Sequence, residues 1–208
     1  MDTASLLAGY RDLDTATIYE ASKLDVALSP RLGPMWRGAR VAGTAFTVRC
    51  RPGDNLALHL ATEQAGAGDV LVIDAAGHLA GHWGEVLTVA AQQRGVTGIV
   101  LDGGLRDTAA MRELGFGAFA VRPAIHRTTK YDAGRLQVPL VLDGVRIAPG
   151  DVVVGDDDGI VAVPRDEAEG VLARAQARVA DEAGYLARIR DGETTRSIYG
   201  LGGPDRAA

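Results

Sequence analysis

The segment 69–102, DVLVIDAAGHLAGHWGEVLTVAAQQRGVTGIVLD, decides the fold. It opens on Asp69–Asp74, a run with a continuous apolar centre, and closes on Gly98–Asp102, a second such run. Short runs with no polar side belong to strands covered on both faces, and a helix between two of them implies parallel pairing. Gly84–Arg94 supplies that helix, and Gly95 supplies its stop. The same rhythm continues downstream. A helix over Thr108–Leu114 stops at Gly115, and Ala118–Val121 is a third apolar strand.

Upstream, Val41–Arg49 alternates as a strand and ends at the turn signal Arg51-Pro52-Gly53-Asp54. Leu56–Ala65 follows as a helix, with Leu56, Leu60 and Ala61 expected on one face. Asp14 is placed to cap a first helix running to Lys23, and Pro30, Gly33 and Pro34 then break the chain. Beyond the third strand the pattern changes. Val138–Leu142 and Val145–Ile147 flank Asp143-Gly144, a hairpin turn. Pro149-Gly150-Asp151 leads into Val152–Val154, and Asp158-Gly159 leads into Ile160–Val163. The architecture is therefore α/β with a second β layer, not a plain doubly wound sheet. A long helix over Arg165–Arg190 closes the chain, its apolar positions from Ala168 to Ile189 spaced as one buried stripe. Such a stripe suits the chain's own sheet or a neighbouring subunit. The organisation reads as an N-terminal helical segment (1–36), an α/β core (37–164), and a C-terminal helix and arm (165–208), with a loose tail from Gly200.

With 208 residues, 47% hydrophobic and 24% charged, the chain has the balance of a folded globular domain. Its net charge is −5 and no stretch concentrates Lys and Arg, so no nucleic-acid partner is expected. Neither a secretory leader nor an apolar run long enough to span a bilayer is visible, and no membrane association is expected. A single cysteine, Cys50, fits a reducing cytoplasm. It ends a strand and reads as a core residue, not a nucleophile.

The residues able to carry chemistry gather after strands, where open α/β sheets bind ligands. Asp74 and Asp102 each end a strand, and their loops should share a rim. The backbone N–H groups that open the helix at Gly84-Glu85-Val86 favour an anion such as a carboxylate. Arg106-Asp107 pairs a planar fork of donors, suited to a carboxylate or enolate oxygen, with a carboxylate able to hold a hard cation. An Arg and an Asp that simply cap the next helix would give the same two letters. His78 and His82 are four apart, but Gly77 and Gly81 oppose a helix there and no third ligand is evident, so zinc is not expected. Asp156-Asp157-Asp158-Gly159 lacks calcium-loop spacing and reads as a turn. Lys130 reads as a surface or substrate-contacting lysine, not a Schiff-base former.

Taken together, Trp83-Gly84-Glu85, Arg94-Gly95, Gly98, Asp102-Gly103, Arg106-Asp107, Pro149-Gly150-Asp151, Gly155-Asp156, Asp158-Gly159 and Pro164 resemble the RraA-like family over about residues 37–201. Within it the chain is similar to the class II pyruvate aldolases, the 4-hydroxy-4-methyl-2-oxoglutarate/4-carboxy-4-hydroxy-2-oxoadipate aldolases. Those enzymes place an acidic residue, twenty intervening residues, then Arg-Asp, as Glu85 and Arg106-Asp107 do here. The resemblance implies an α/β/β sandwich of swivelling-domain type, assembled as a trimer or a dimer of trimers with sites at subunit interfaces. It implies Mg²⁺ or Mn²⁺ held directly by Asp107, and through water by Glu85 and by Glu193 of a neighbouring subunit. Arg106 would bind the substrate oxygen and stabilise a pyruvate enolate, and the amides from Gly84 through Glu85, Val86 and Leu87 would receive the pyruvoyl carboxylate. The implied activity is retro-aldol cleavage of 4-hydroxy-2-oxo acids to pyruvate, with decarboxylation of oxaloacetate through the same enolate. The chain departs from the aldolases in carrying Glu85 where they have Asp, and Arg122-Pro123-Ala124-Ile125-His126 where they have Arg-Gly and a later proline. The alternative is a non-catalytic regulator of the same family that binds a protein partner such as ribonuclease E. Such regulators tend to lose the Asp of the Arg-Asp pair, which this chain keeps. A methyltransferase label also attached to the family finds no glycine-rich nucleotide loop here.

Overall fold

The computed structural model describes residues 1–202; most of the tail beginning at Gly200 lies outside them. Two short helices open the chain, α1 (Thr3–Arg11) and α2 (Thr15–Ser22). The core follows as β1 (Gly33–Pro34), β2 (Val41–Arg49), α3 (Leu56–Gln64), β3 (Asp69–Trp83), α4 (Glu85–Gln93), β4 (Gly98–Leu105), α5 (Thr108–Glu113) and β5 (Gly117–Pro123). Then come β6 (Arg135–Leu136), β7 (Leu140–Leu142), β8 (Val145–Ile147), β9 (Val152–Gly155) and β10 (Ile160–Val163). The long helix α6 (Ala168–Arg190) and the single turn α7 (Thr195–Ile198) end the described chain. Among the described residues no helix is long and apolar enough to cross a membrane.

Strands β2, β3, β4 and β5 pair in parallel, as their apolar composition demands. Antiparallel β9 and β10 extend the sheet from β2, and β1 pairs antiparallel with β5 at the other edge. One stretch of chain joins the two edges. Ala27 bridges Val161 on β10, and a few residues later Gly33 pairs with Ala120 on β5. The sheet thus curls almost into a barrel, which leaves few unpaired strand edges.

Side-chain alternation divides the interior into three apolar clusters. Leu71, Ile73, Ile99, Leu101, Ala118 and Ala120 face α3, α4 and α5. The alternate residues Val70, Val72, Val100 and Phe119 face inward, where the β7–β8 hairpin contributes Leu140, Leu142 and Ile147. Of the strands expected in a second β layer, that hairpin forms a sheet of its own, while β9 and β10 join the main sheet. On the outer side of β9 and β10, Val152, Val154, Val161 and Val163 pack against α1, α2 and the first part of α6.

Several sequence expectations need correction. Residues 3–11 form a helix of their own before the one expected at Asp14. Asp14 stands at the start of α2 but its side chain caps nothing; it pairs with Arg40 instead. The cap comes from Asp156 in the β9–β10 turn, which accepts from Thr15 N–H (2.8 Å) and Thr15 Oγ1 (2.6 Å). On α3 the buried residues are Ala57, Leu58, Ala61 and Thr62, while Leu56 and Leu60 are only half-buried. Small Ala57 and Ala61 let that helix lie close to the sheet. Strands β3 and β4 run on past Asp74 and Asp102, with register shifts after each, to end side by side at Trp83 and Leu105. Asp102 is therefore buried in an ion pair with Arg31 (2.6 Å), and Asp74 faces Arg49 (3.5 Å). The rim expected at those aspartates lies farther along, where the strands end.

Candidate functional site

Where β3 and β4 stop, a cleft of about 220 Å³ opens between the start of α4, the β4–α5 turn, the start of α3 and Lys130. Arg106 and Asp107 line it together with Gly84, Val86, Leu87, Trp83, Gly81, His82, Asn55, His59 and Lys130. The sequence reading thus placed Gly84, Val86, Leu87, Arg106 and Asp107 in one site, and the fold brings them to one cleft.

Asp107 holds the central geometry. It is the residue before α5, yet its backbone is left-handed (φ 58°) and its side chain makes no capping bond to that helix. A non-glycine residue in this region carries strain that persists only where the surroundings fix it. The carboxylate turns instead toward α4, where Oδ2 accepts from Glu85 N–H at 3.2 Å and lies 3.6 Å from Arg106 Nε. The bland reading of Arg106-Asp107 as a helix cap is thereby excluded. Gly84 is needed for this approach, because a Cβ there would collide with Asp107 Oδ2.

Arg106 is held by its backbone N–H on Trp83 O (2.9 Å), and its stem lies across two glycines. A Cβ at Gly81 would sit 2.9 Å from Arg106 Cδ, and one at Gly84 would sit 3.2 Å from Arg106 Cγ. The strand–helix corner is locked by Trp83 Nε1 donating to Thr88 Oγ1 (2.8 Å), which in turn donates to Gly84 O (3.0 Å). Trp83 stacks on Phe116 beneath. At the start of α4, the N–H groups of Val86 and Leu87 have no protein acceptor among the described residues, so they are open to an anion. Glu85 is exposed at this first turn and does not line the cleft.

A divalent cation fits this corner. Asp107 is half-exposed, and among the described residues its Oδ1 has no partner. Among the described residues no group of three His, Cys, Asp or Glu side chains converges. One carboxylate with room for water suits Mg²⁺ or Mn²⁺, which take few protein ligands. Glu193 is elsewhere in its own chain. It follows α6, bound by Arg188 (2.6 and 2.7 Å) and Ser197 (2.8 Å), and does not reach the cleft of its own subunit.

Three cleft residues escaped the sequence reading: Gly81, Asn55 and His59. Asn55 Nδ2 donates to His82 O (2.9 Å), while its Oδ1 is buried with no partner among the described residues. A buried acceptor left open is costly unless a ligand or water satisfies it. The Gly-Asp-Asn turn before a helix was the available signal. His82 is fully buried on β3; its Nε2 takes Gly53 N–H (3.2 Å), so Nδ1 carries the proton, facing Ala80 O and Gly104 O. Both nitrogens are committed, which leaves His82 as a support for the cleft floor. Burial pushes the Cys50 thiol up to about 12, with Asp54 adding to the effect, so it stays a neutral core residue.

This is a curled mixed α/β fold with a candidate site, a cleft at the ends of two parallel strands lined by an Arg-Asp pair. The chain belongs to the RraA-like family: the family model for Aldolase/RraA matches residues 15–162. It is 35% identical over 183 residues to a protein of Halalkalibacterium halodurans named "Putative 4-hydroxy-4-methyl-2-oxoglutarate aldolase", covering 88% of this chain and 87% of that one. An uncharacterized protein from Pseudomonas syringae pv. tomato has the same fold, with a TM-score of 0.85, 32% identity, and 97% and 95% of the two chains covered. The RNA-processing inhibitor RraA from Thermus thermophilis superposes with a TM-score of 0.62 at 30% identity, covering 79% of this chain and 93% of its own.

Proposed function

We propose that the protein is a divalent-metal-dependent lyase that cleaves 4-hydroxy-2-oxo acids to pyruvate and decarboxylates oxaloacetate through the same pyruvate enolate. The observation that carries this reading is the turn of Asp107 away from its own helix and into the cleft beside Arg106. Asp107 would hold Mg²⁺ or Mn²⁺ directly, with Glu85 and a neighbour's Glu193 holding its waters. When bound, the ion would supply positive charge near the keto oxygen as it becomes an enolate.

The chain's own groups would bind and orient the substrate, while a water in the open cleft would take the 4-hydroxyl proton and a proton from solvent would convert the enolate to pyruvate. The open amides of Val86 and Leu87 receive the substrate carboxylate at the positive end of α4. Arg106 donates to the keto oxygen and strengthens that bond as the oxygen becomes an enolate, the kind of charge-matched stabilisation that lowers a barrier most. Asn55 Oδ1 is an acceptor for the substrate's 4-hydroxyl. Trp83 and Leu87 give the cleft an apolar wall that limits competing water.

A subunit interface completes this site in the proposal. The second half of α6 leaves Val179, Leu186 and Ile189 facing outward, a stripe suited to a neighbouring copy in a cytoplasmic trimer or dimer of trimers. Mixing Glu193→Ala with Asp107→Ala subunits should then restore activity that neither variant has alone. Mixed assemblies that stay inactive would remove Glu193 from the site.

The second reading is a partner-binding regulator, which the likeness to the RNA-processing inhibitor favours. The two separate in one assay. Pyruvate release from oxaloacetate with Mg²⁺, lost on adding EDTA, supports the lyase. A folded, Mg²⁺-loaded protein that releases none, yet slows ribonuclease E cleavage, supports the regulator.

A further inference from the structure

Retro-aldol cleavage strips the proton from the substrate's 4-hydroxyl, and that proton needs an acceptor. Among the described residues the titratable side chains lining the cleft are His59, His82, Arg106, Asp107 and Lys130. Arginine and lysine meet a substrate as cations, donors with no lone pair to offer. Asp107 is taken by the ion. His82 has both ring nitrogens committed to backbone groups of the cleft floor. His59 remains.

Its place follows from α3. Asn55, at the start of that helix, and His59 are four residues apart, one helical turn, and both line the cleft. His59 N–H donates to Asn55 O (3.4 Å). Asn55 Oδ1 is the buried acceptor left without a partner among the described residues. A hydroxyl drawn to it lies one turn from the imidazole. His59 is half-buried, and among the described residues no hydrogen bond engages its ring nitrogens. Burial first and the Lys130 charge second lower its pKa, against a smaller opposing pull from Glu63. Arg106 and Asp107 are the other charged groups on the cleft wall. The imidazole is therefore neutral at pH 7 and free to accept a proton.

We propose that His59 is the general base of the cleavage, drawing a proton from the cleft water as that water takes the 4-hydroxyl proton. This rests on the lyase reading. The O–H bond of the 4-hydroxyl breaks, and its electron pair forms the carbonyl of the departing product. The C3–C4 bond breaks, and its pair passes into the pyruvate enolate. The water gains the hydroxyl's proton and gives one of its own to a ring nitrogen of His59. The imidazolium then releases a proton to solvent and the enolate takes one from solvent, so no other reactant is consumed. Oxaloacetate makes no such demand. It has no 4-hydroxyl, and its C3–C4 bond breaks with loss of carbon dioxide from a carboxylate already ionised.

The two substrates thus separate a base from a merely structural histidine. His59→Gln and His59→Ala should each lower kcat for cleavage of 4-hydroxy-4-methyl-2-oxoglutarate about a hundredfold or more, while oxaloacetate decarboxylation changes less than about threefold. Added imidazole should restore part of the cleavage in His59→Ala. In the wild type, kcat/KM for cleavage should fall on an acid limb below the ordinary imidazole value of about 6.5. That limb should vanish in His59→Gln. It should move to higher pH in Lys130→Met, which removes a charge that lowers the His59 pKa and needs no change at His59 itself. Equal losses on the two substrates, or an acid limb that neither variant alters, would overturn the assignment and leave the lyase standing. A folded, Mg²⁺-loaded wild type silent on both substrates would overturn both readings.

Discussion

Asp156 and Asp107 each stand at the start of a helix, and the fold treats them in opposite ways. Asp156 is buried and saturated: Thr15 gives it a backbone and a hydroxyl donor, and Asp158 N–H a third. Asp107 is half-exposed and strained, leaves α5 uncapped, and has one oxygen at the cleft without a partner among the described residues. A carboxylate surrounded by donors fixes backbone; one denied its own helix and left open is available to a ligand. Asp102, tied to Arg31, falls with the first kind.

That contrast makes its own tests. Asp107→Ala should lower pyruvate formation about a thousandfold or more while leaving the fold intact. A normal turnover number in this variant would erase the distinction between the two aspartates. Arg106→Lys should cost on the order of a hundredfold or more in kcat, since an ammonium cannot reproduce the planar fork. A wild-type rate would take Arg106 out of the site. Gly84→Ala pushes a methyl group into Asp107 Oδ2 and should cost up to about a hundredfold by displacing that carboxylate, with thermal unfolding showing whether the fold survives.

On the structural side, Asp156→Ala should destabilise by about 2–3 kcal/mol, read as a fall in Tm of roughly 4–12 °C, with kcat unchanged. Lost activity at full stability would contradict the assignment. The smallest effect concerns pH. Burial, chiefly, lowers the His82 pKa, so the unfolded chain binds this proton more readily than the native one. Stability should therefore decline as pH falls below about 6.5, the ordinary imidazole value, and His82→Gln should flatten that decline in denaturant titrations.

Much of this was legible in the chain. DVLVID and GIVLD gave a buried parallel pair because no polar face interrupts them, and β2 and β10 keep the bounds read from their flanking turn signals. Two kinds of information were not local. The extension of β3 to Trp83 depends on pairing with β4 through a bulged, glycine-bearing stretch, which in isolation reads as loop. The cap of α2 comes from Asp156, more than a hundred residues away, so Asp14 was the natural but mistaken choice. At the site, Arg106-Asp107 alone could not be told from a helix cap. Only the left-handed backbone of Asp107 and its reach to Glu85 N–H decide it. The need for Gly81 arises from the Arg106 stem lying across it, a contact between separate segments.

The most direct measurement is a titration of Mg²⁺ or Mn²⁺ into metal-free wild type and Asp107→Ala, following pyruvate from 4-hydroxy-4-methyl-2-oxoglutarate. Activity should rise from baseline and saturate in the wild type and stay flat in the variant. Equal activity in both proteins, or turnover in the wild type indifferent to the ion, would contradict the account.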